Sequence, residues 1–286
     1  MKNAMTIDVE DYFHVSAFAA HVRPSEWDGY ECRVEANTEK LLDVFDTGGI
    51  KATFFVLGWV AERYPALVKG IAARGHEIAC HGYSHRLVYD QSPAEFRAET
   101  ELSKRVLEDL VQMPVQGYRA ASYSITAKSM WALDTLVELG FTYDSSIFPV
   151  RHDRYGVPGS PREPYRLRTP AGYSILEFPL TTVELGRYRL PVSGGGYFRL
   201  FPYFLTKMAL ASVNQRERRP FIFYLHPWEV DPAQPRIETT WFSRFRHYNN
   251  LDQCEPRLRR LIADFDFGTV SEILQNLGLS EEPVHV

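Results

Sequence analysis

Short apolar runs alternate along this sequence with longer amphipathic ones, and few folds tolerate that rhythm. Residues 5–9, 51–57 (KATFFVL), 76–80, 117–119, 141–144 and 221–225 (FIFYL) are rich in β-branched and aromatic residues and read as buried strands. Between them, residues 38–47, 59–73, 92–111 and 128–139 carry helical periodicity, and a last short helix is expected over 272–277. The helix signals are chemical. Asn37 or Thr38 can cap the first helix and Gly48-Gly49 ends it, while Ser92 caps a later one with Pro93 in its first turn. Strand–helix–strand order predicts an α/β architecture around a parallel sheet, open or closed into a barrel.

The rhythm breaks between about residues 150 and 219, where RHDRYGVPGSPREPYR and VSGGGYFR suggest loops and a β-rich insertion. A chain of 286 residues with 45% apolar content sustains one large core. No repeat or clean linker divides it, so a single domain over 1–286 is expected, with a C-terminal extension over about 230–286.

Several function classes drop out. A net charge of −4 offers no footprint for nucleic acid. Three cysteines without CxxC spacing argue against a disulfide framework or a thiolate zinc site. The stretch 201–213 is broken by Lys207 and too short to span a bilayer. Without an apolar leader the chain reads as cytoplasmic, with peripheral association at the inner membrane left open. Oligomeric state is not legible.

In parallel α/β folds, reactive groups gather where strands end. Here the ends carry Asp8-Val9-Glu10-Asp11, then His81 and His85, then Arg119, Asp144 and His226. His81 and His85, four residues apart, can grip one zinc-like ion if the segment turns helically. A third ligand must come from the acidic strand end, and a carboxylate left over can act as base toward a metal-bound water. Arg119 would keep that base ionised. His226 would serve as acid if it stays protonated, with Asp144 holding it so. Each residue alone has a plain structural explanation, as a cap, a turn or a surface ion pair; five strand ends supplying such groups together do not.

These residues, in this order, resemble the polysaccharide deacetylases of carbohydrate esterase family 4, which share the chitooligosaccharide deacetylase homology domain. The family's Thr-Phe-Asp-Asp-Gly is met by Thr6-Ile7-Asp8-Val9-Glu10-Asp11. Its His-Ser/Thr-x-x-His is met by His81-Gly82-Tyr83-Ser84-His85, and its Arg-x-Pro-Tyr by Arg119 to Tyr123. Asp144 to Phe148 stands for Asp-x-x-x-Trp, and Leu225-His226-Pro227 for Leu-His-Pro. The variants DVEDYF, YDSSIFP and LHPWE look most like the subgroup associated with exosortase-linked exopolysaccharide loci.

The resemblance implies a distorted (β/α) barrel and removal of N-acetyl groups from an amino-sugar polysaccharide or its lipid-linked precursor. A divalent metal, zinc by default with cobalt or nickel as alternatives, would be the cofactor, and an N-acetylated glycan the partner. It implies Asp8 as base, His81 and His85 as ligands with Glu10 or else Asp11 as the third, and Arg119 as the group that positions Asp8. His226 would be the acid, Asp144 its tuning partner, and the Tyr123 amide part of an oxyanion hole. Tyr123 and Trp228, with Tyr12, Phe13 and Tyr83, are candidates for contact with a sugar ring. Rival functions are a metal-dependent amidohydrolase on a small cyclic amide and a non-catalytic glycan-binding module. The intact Asp8, His81, His85, Arg119 and His226 set weighs against the latter.

Overall fold

The computed structural model describes residues 1–152, 154–186 and 188–279. The last seven residues of the expected extension, and positions 153 and 187 of the expected insertion, lie outside the described residues.

The strands are β1 (Lys2–Val9), β2 (Thr53–Val56), β3 (Glu77–Cys80), β4 (Gly117–Tyr118), β5 (Tyr143–Asp144), β6 (Tyr165–Arg168), β7 (Ser174–Glu177), β8 (Thr182–Leu185), β9 (Tyr188–Pro191), β10 (Ile222–Leu225) and β11 (Asp266–Gly268). Nine of them form one sheet in the order β10-β1-β2-β3-β4-β5-β7-β6, with β11 paired to the start of β1. All its pairings are parallel except β6 with β7. β1 is buried along almost its whole length, as expected of a strand covered on both faces.

Strand pairing does not join the two ends of the sheet. The segment after β7 spans the gap instead. Thr181 accepts from the Ile222 amide at 2.8 Å and donates to its carbonyl at 3.0 Å. Gly194 makes an isolated parallel bridge to Tyr224. A side chain at Gly194 would put its Cβ 2.0 Å from the Tyr224 carbonyl oxygen, at a φ of 131°, so only glycine fits. The result is the distorted barrel that the sequence pointed to.

The helices are α1 (Val34–Gly48), α2 (Gly58–Arg63), α3 (Pro65–Ala73), α4 (Pro93–Val111), α5 (Trp131–Glu138), α6 (Gly195–Leu200), α7 (Tyr203–Gln215), α8 (Trp241–Tyr248), α9 (Leu251–Asp264) and α10 (Val270–Asn276). Three regions differ from expectation for clear reasons. The helix expected over 59–73 is two, because Pro65 starts a new helix at its first position. The insertion holds the β8–β9 hairpin as expected, but also α6 and α7, which the glycine run SGGG concealed. In the extension, α9 carries Pro256 inside it and breaks its own helical signal. Elsewhere, Ser92 caps α4 as predicted, in a reciprocal capping box with Glu95.

One buried histidine belongs to the fold rather than to the strand ends. His76 accepts a hydrogen bond at Nδ1 from the Ala52 amide (3.1 Å), its ring lies 5.0 Å from Phe54, and its Nε2 is buried without a partner. Burial, then the nearby Lys51, lowers its pKa from 6.5 to about 4. The unfolded chain therefore binds this proton first. Stability from neutral His76 is full above pH 6.5 and is lost as pH falls toward 4. In chemical denaturation at pH 5 against pH 7.5, wild type should lose on the order of 2 kcal/mol more than His76→Gln.

Candidate active site

β1 delivers two carboxylates in three residues. Asp8 lies in the strand, and Glu10 follows in a tight turn in which its amide donates to the Asp8 carbonyl at 2.9 Å. Both are buried. Asp8 Oδ1 accepts from Arg119 Nη1 at 2.6 Å. Arg119 is wholly buried, and every face of its guanidinium is engaged. It donates to Thr6 Oγ1 (2.8 Å), Ser145 O (3.1 Å) and Ser145 Oγ (2.9 Å), and lies 4.1 Å over the Phe55 ring. A charge this enclosed can stay only because the Asp8 carboxylate pairs with it. Burial opposes the charge on Arg119, yet Asp8 holds its pKa above the ordinary value.

His81 and His85 meet Glu10 without a helix. The segment between them is a loop in which Gly82 (φ 73°) and His85 (φ 52°) take left-handed conformations, so the two imidazoles converge through a turn. The expectation of helical geometry is corrected here; the pair's convergence is not. His81 Nδ1 lies 2.8 Å from the Arg119 carbonyl. A carbonyl can only accept, so Nδ1 carries the proton and the Nε2 lone pair faces the site. Burial, outweighing the pull of Asp8, lowers His81 to about 4 and keeps it neutral.

The donor atoms of Glu10, His81 and His85 lie within 4.8 Å of one another. Glu10 Oε2 is buried and makes no hydrogen bond, although His85 Nε2 is only 2.8 Å away. A buried carboxylate oxygen without a hydrogen bond, set 2.8 Å from an imidazole nitrogen, suits a shared cation, and a carboxylate with two imidazoles is a donor set for a divalent metal. Burial disfavours charge on Glu10, but His85 and His226 hold its carboxyl well below the usual range. Asp11, the alternative ligand, points elsewhere. Its carboxylate accepts from the amides of Tyr12 (2.9 Å), Arg33 (2.6 Å) and Val34 (2.8 Å) and so anchors the start of α1. His81→Ala is expected to weaken zinc binding on the order of a hundredfold or more, read by calorimetric titration of the chelator-stripped protein.

His226 ends β10. Its Nε2 lies 3.6 Å from Glu10 Oε1 and 3.9 Å from Asp8 Oδ2. Its Nδ1 meets Glu229 Oε1 at 2.8 Å, and the other oxygen of Glu229 accepts from Arg199 Nε at 2.7 Å. Burial penalises the imidazolium, but Glu10, then Glu229 and Asp8, raise His226 to about 9. Glu229 is itself held below its ordinary value, against burial, by Arg199 and His226. The partner expected for His226 was Asp144, and that expectation is corrected. Asp144 sits on β5, with β1 to β4 standing between it and β10 in the sheet. It accepts from Ser146 Oγ (2.6 Å) and the Ser146 amide (3.1 Å). Ser146 Oγ in turn accepts from the Ala120 amide at 2.8 Å, so Asp144 braces the loop that carries Arg119.

Two further expectations change. The Tyr123 amide donates to the Ala120 carbonyl at 3.0 Å, so it is engaged in a turn rather than aimed at an oxyanion. The Tyr123 ring does line the cavity, and its hydroxyl is buried without a partner. Trp228 lines it too, but it is buried, with His226 stacked 5.0 Å away at 17° and His247 4.1 Å away at 18°. No sugar can stack there. Its indole N–H instead donates to Glu10 Oε1 at 3.3 Å. Tyr12, Phe13 and Tyr83 do not line the cavity, which has a volume of about 450 Å³. Its outer wall comes from Tyr155, Tyr197, Leu200, Phe242 and Phe245, all within the insertion and extension.

Glu229 and Arg199 were missed in the sequence. Glu229 had a signal, since it falls three residues after His226, within reach across one turn. Arg199 had none, because its pairing is made only by the folding of the insertion.

Residues 28–143 match the polysaccharide deacetylase family model, and residues 145–275 match a domain of unknown function, DUF3473. The first span contains His81, His85, Arg119 and Tyr123; Asp8, Glu10 and His226 lie outside it. The chain is 40% identical over 73 residues to a peptidoglycan-N-acetylglucosamine deacetylase of Bacillus cereus, covering 26% of each chain. It is 30% identical over 99 residues to a chitooligosaccharide deacetylase of Bradyrhizobium sp. (strain ANU 289), covering 35% of this chain and 43% of that one. It thus matches less than half the length of these relatives. A solved structure of a Mycobacterium smegmatis protein assigned as a polysaccharide deacetylase superposes with a TM-score of 0.62 at 17% identity, covering 100% of this chain and 95% of that one; at that identity the likeness shows the fold. The chain is thus similar to polysaccharide deacetylases over residues 28–143 and to the DUF3473 region over residues 145–275.

Proposed function

We propose that the protein is a metal-dependent N-deacetylase acting on an N-acetylated amino-sugar polysaccharide or its lipid-linked precursor, in exopolysaccharide biosynthesis. One observation carries this reading. The Asp8 carboxylate, paired with Arg119, and an imidazole raised to about 9 stand 3.9 Å apart, beside a carboxylate–two-imidazole cluster. A carboxylate that can accept a proton beside an imidazolium that can donate one is what hydrolysis of an amide needs.

Glu10, His81 and His85 would hold the ion, with zinc the default occupant and cobalt or nickel compatible with the same donors. When bound, a divalent ion there supplies Lewis acidity toward an acyl oxygen and lowers the pKa of water. The chain's own groups do the rest. Asp8 takes the proton of the attacking water, and Arg119 keeps Asp8 oriented. His226 donates from Nε2 to the departing amine nitrogen, since Glu229 holds the proton on Nδ1. The C–N bond breaks, and acetate and the free amine leave.

Acetate release from N-acetylglucosamine oligomers, after chelation and metal add-back, tests the reading. Metal-dependent release supports it. A protein that binds one ion tightly but releases no acetate from any N-acetylated glycan sinks the substrate assignment, and one that binds no ion sinks the mechanism.

A further inference from the structure

The mouth of the cavity opens onto a surface unlike the rest of the molecule. Among the described residues, eleven of the fourteen large apolar side chains that are exposed lie between Leu185 and Phe245. Trp241 is 76% exposed, Met208 64%, Phe242 60% and Phe204 59%. They come from α6, α7, the turn between them, α8 and the β8–β9 hairpin. Leu200, Phe242 and Phe245 reach the cavity mouth, so the apolar surface is continuous with the site. Tyr197 lines both the mouth and a second, apolar groove of about 280 Å³ between the hairpin and α7, where Leu190, Phe201 and Leu205 lie.

Arg199 donates to the carbonyls of Arg246 (3.1 Å), His247 (2.8 Å) and Asn249 (2.8 Å), which ties α8 to α6. α8 is thereby held with its His247 face buried and Trp241, Phe242, Arg244, Phe245 and Arg246 outward. Aromatic rings interleaved with arginines mark helices that lie in a lipid interface, rings in the acyl boundary and guanidinium groups among headgroups. Residues 236–246 carry Arg236, Arg244 and Arg246 against Glu238 alone, a local positive charge in a chain of net charge −4.

We propose that this face docks on an anionic lipid surface, with Trp241, Phe242 and Phe245 inserted and Arg244 and Arg246 at headgroup level, so that the cavity opens against the membrane. The proposal concerns where the protein works and stands apart from the deacetylase reading. Its aliphatic members, Leu200, Leu205 and Met208, are what lipid contact uses and what a platform for sugar rings does not need. No helix of the described residues is long and apolar enough to cross a membrane.

The test is co-sedimentation of the full chain with phosphatidylcholine vesicles, with and without phosphatidylglycerol. Binding should require phosphatidylglycerol, weaken with salt and blue-shift tryptophan emission. Trp241→Ser with Arg244→Glu should weaken it on the order of tenfold or more while the melting temperature stays within a degree or two of wild type. Trp241→Phe should bind but lose the blue shift. No vesicle binding at low salt overturns the proposal, as does equal binding by the double variant. A concentration-dependent dimer that Trp241→Ser disperses would reassign the face to self-association. Vesicle binding abolished by soluble N-acetylglucosamine oligomers would reassign it to glycan. None of these readouts depends on acetate release, so failure of the two readings is distinguishable.

Discussion

Asp8→Asn is expected to lower turnover on N-acetylglucosamine oligomers by roughly a hundred- to ten-thousandfold in the metal-loaded protein. The change is isosteric and removes only the capacity to take a proton. It also leaves Arg119 buried beside a neutral amide. The remaining bonds of Arg119 to Thr6 and Ser145 persist, so the protein should fold but melt at lower temperature. Metal stoichiometry should be unchanged, because Asp8 is not among the three clustered donors. Steady-state kinetics paired with metal titration reads both. A variant that keeps its metal and retains more than a tenth of wild-type turnover would remove Asp8 from the role of base.

Glu229→Gln should produce the second large effect, and it acts on two quantities at once. The raised value of His226 means that its imidazolium stabilises the fold fully below 6.5 and loses that contribution as pH rises through about 9. Glu229, held below its ordinary 4.5, contributes above that value and loses its contribution as pH falls through its lowered one. Removing the carboxylate lowers His226 and leaves the buried Arg199 without its anion. The expected loss of stability is about 3–5 kcal/mol. The alkaline limb of the rate profile should move toward acid by about one unit, which is roughly tenfold in rate at a pH above both limbs. An ion held by Glu10 offsets part of the attraction on His226, so the wild-type limb should fall below 9. Arg199→Met combined with Glu229→Gln separates the effects. It should regain stability, because no buried charge is left unpaired, but not the limb. A limb unmoved in both variants would show that His226 is not the titrating acid.

The two outcomes also distinguish what each layer of the protein contributes. Most strands were legible because each is an apolar run whose C-terminal end carries a polar group, and that pattern survives without any knowledge of neighbours. Asp8, Glu10, His81, His85, Arg119 and His226 were legible for the same reason: a parallel sheet collects the ends of its strands along one edge. The cluster of Glu10, His81 and His85 is likewise local in origin, from one strand end and one five-residue loop.

The partners of these groups were not legible. Asp144 and Glu229 were equal candidates to hold His226 as far as residue type goes, and only their contacts in the fold separate them. Asp144 is taken up by the Ser146 hydroxyl and amide, whereas one turn folds Glu229 back onto the ring. Asp11 and Glu10 are adjacent in sequence, yet a tight turn sends one carboxylate to the histidines and the other to the start of α1. The burial of Trp228, the engaged amide of Tyr123 and the apolar rim formed by α6, α7 and α8 depend on contacts between segments tens of residues apart. Sequence alone determined which chemical groups this protein would bring to its strand ends. The tertiary structure decided which of them touch, because hydrogen-bond partners and burial depend on distances that close only when the insertion and extension pack against the sheet.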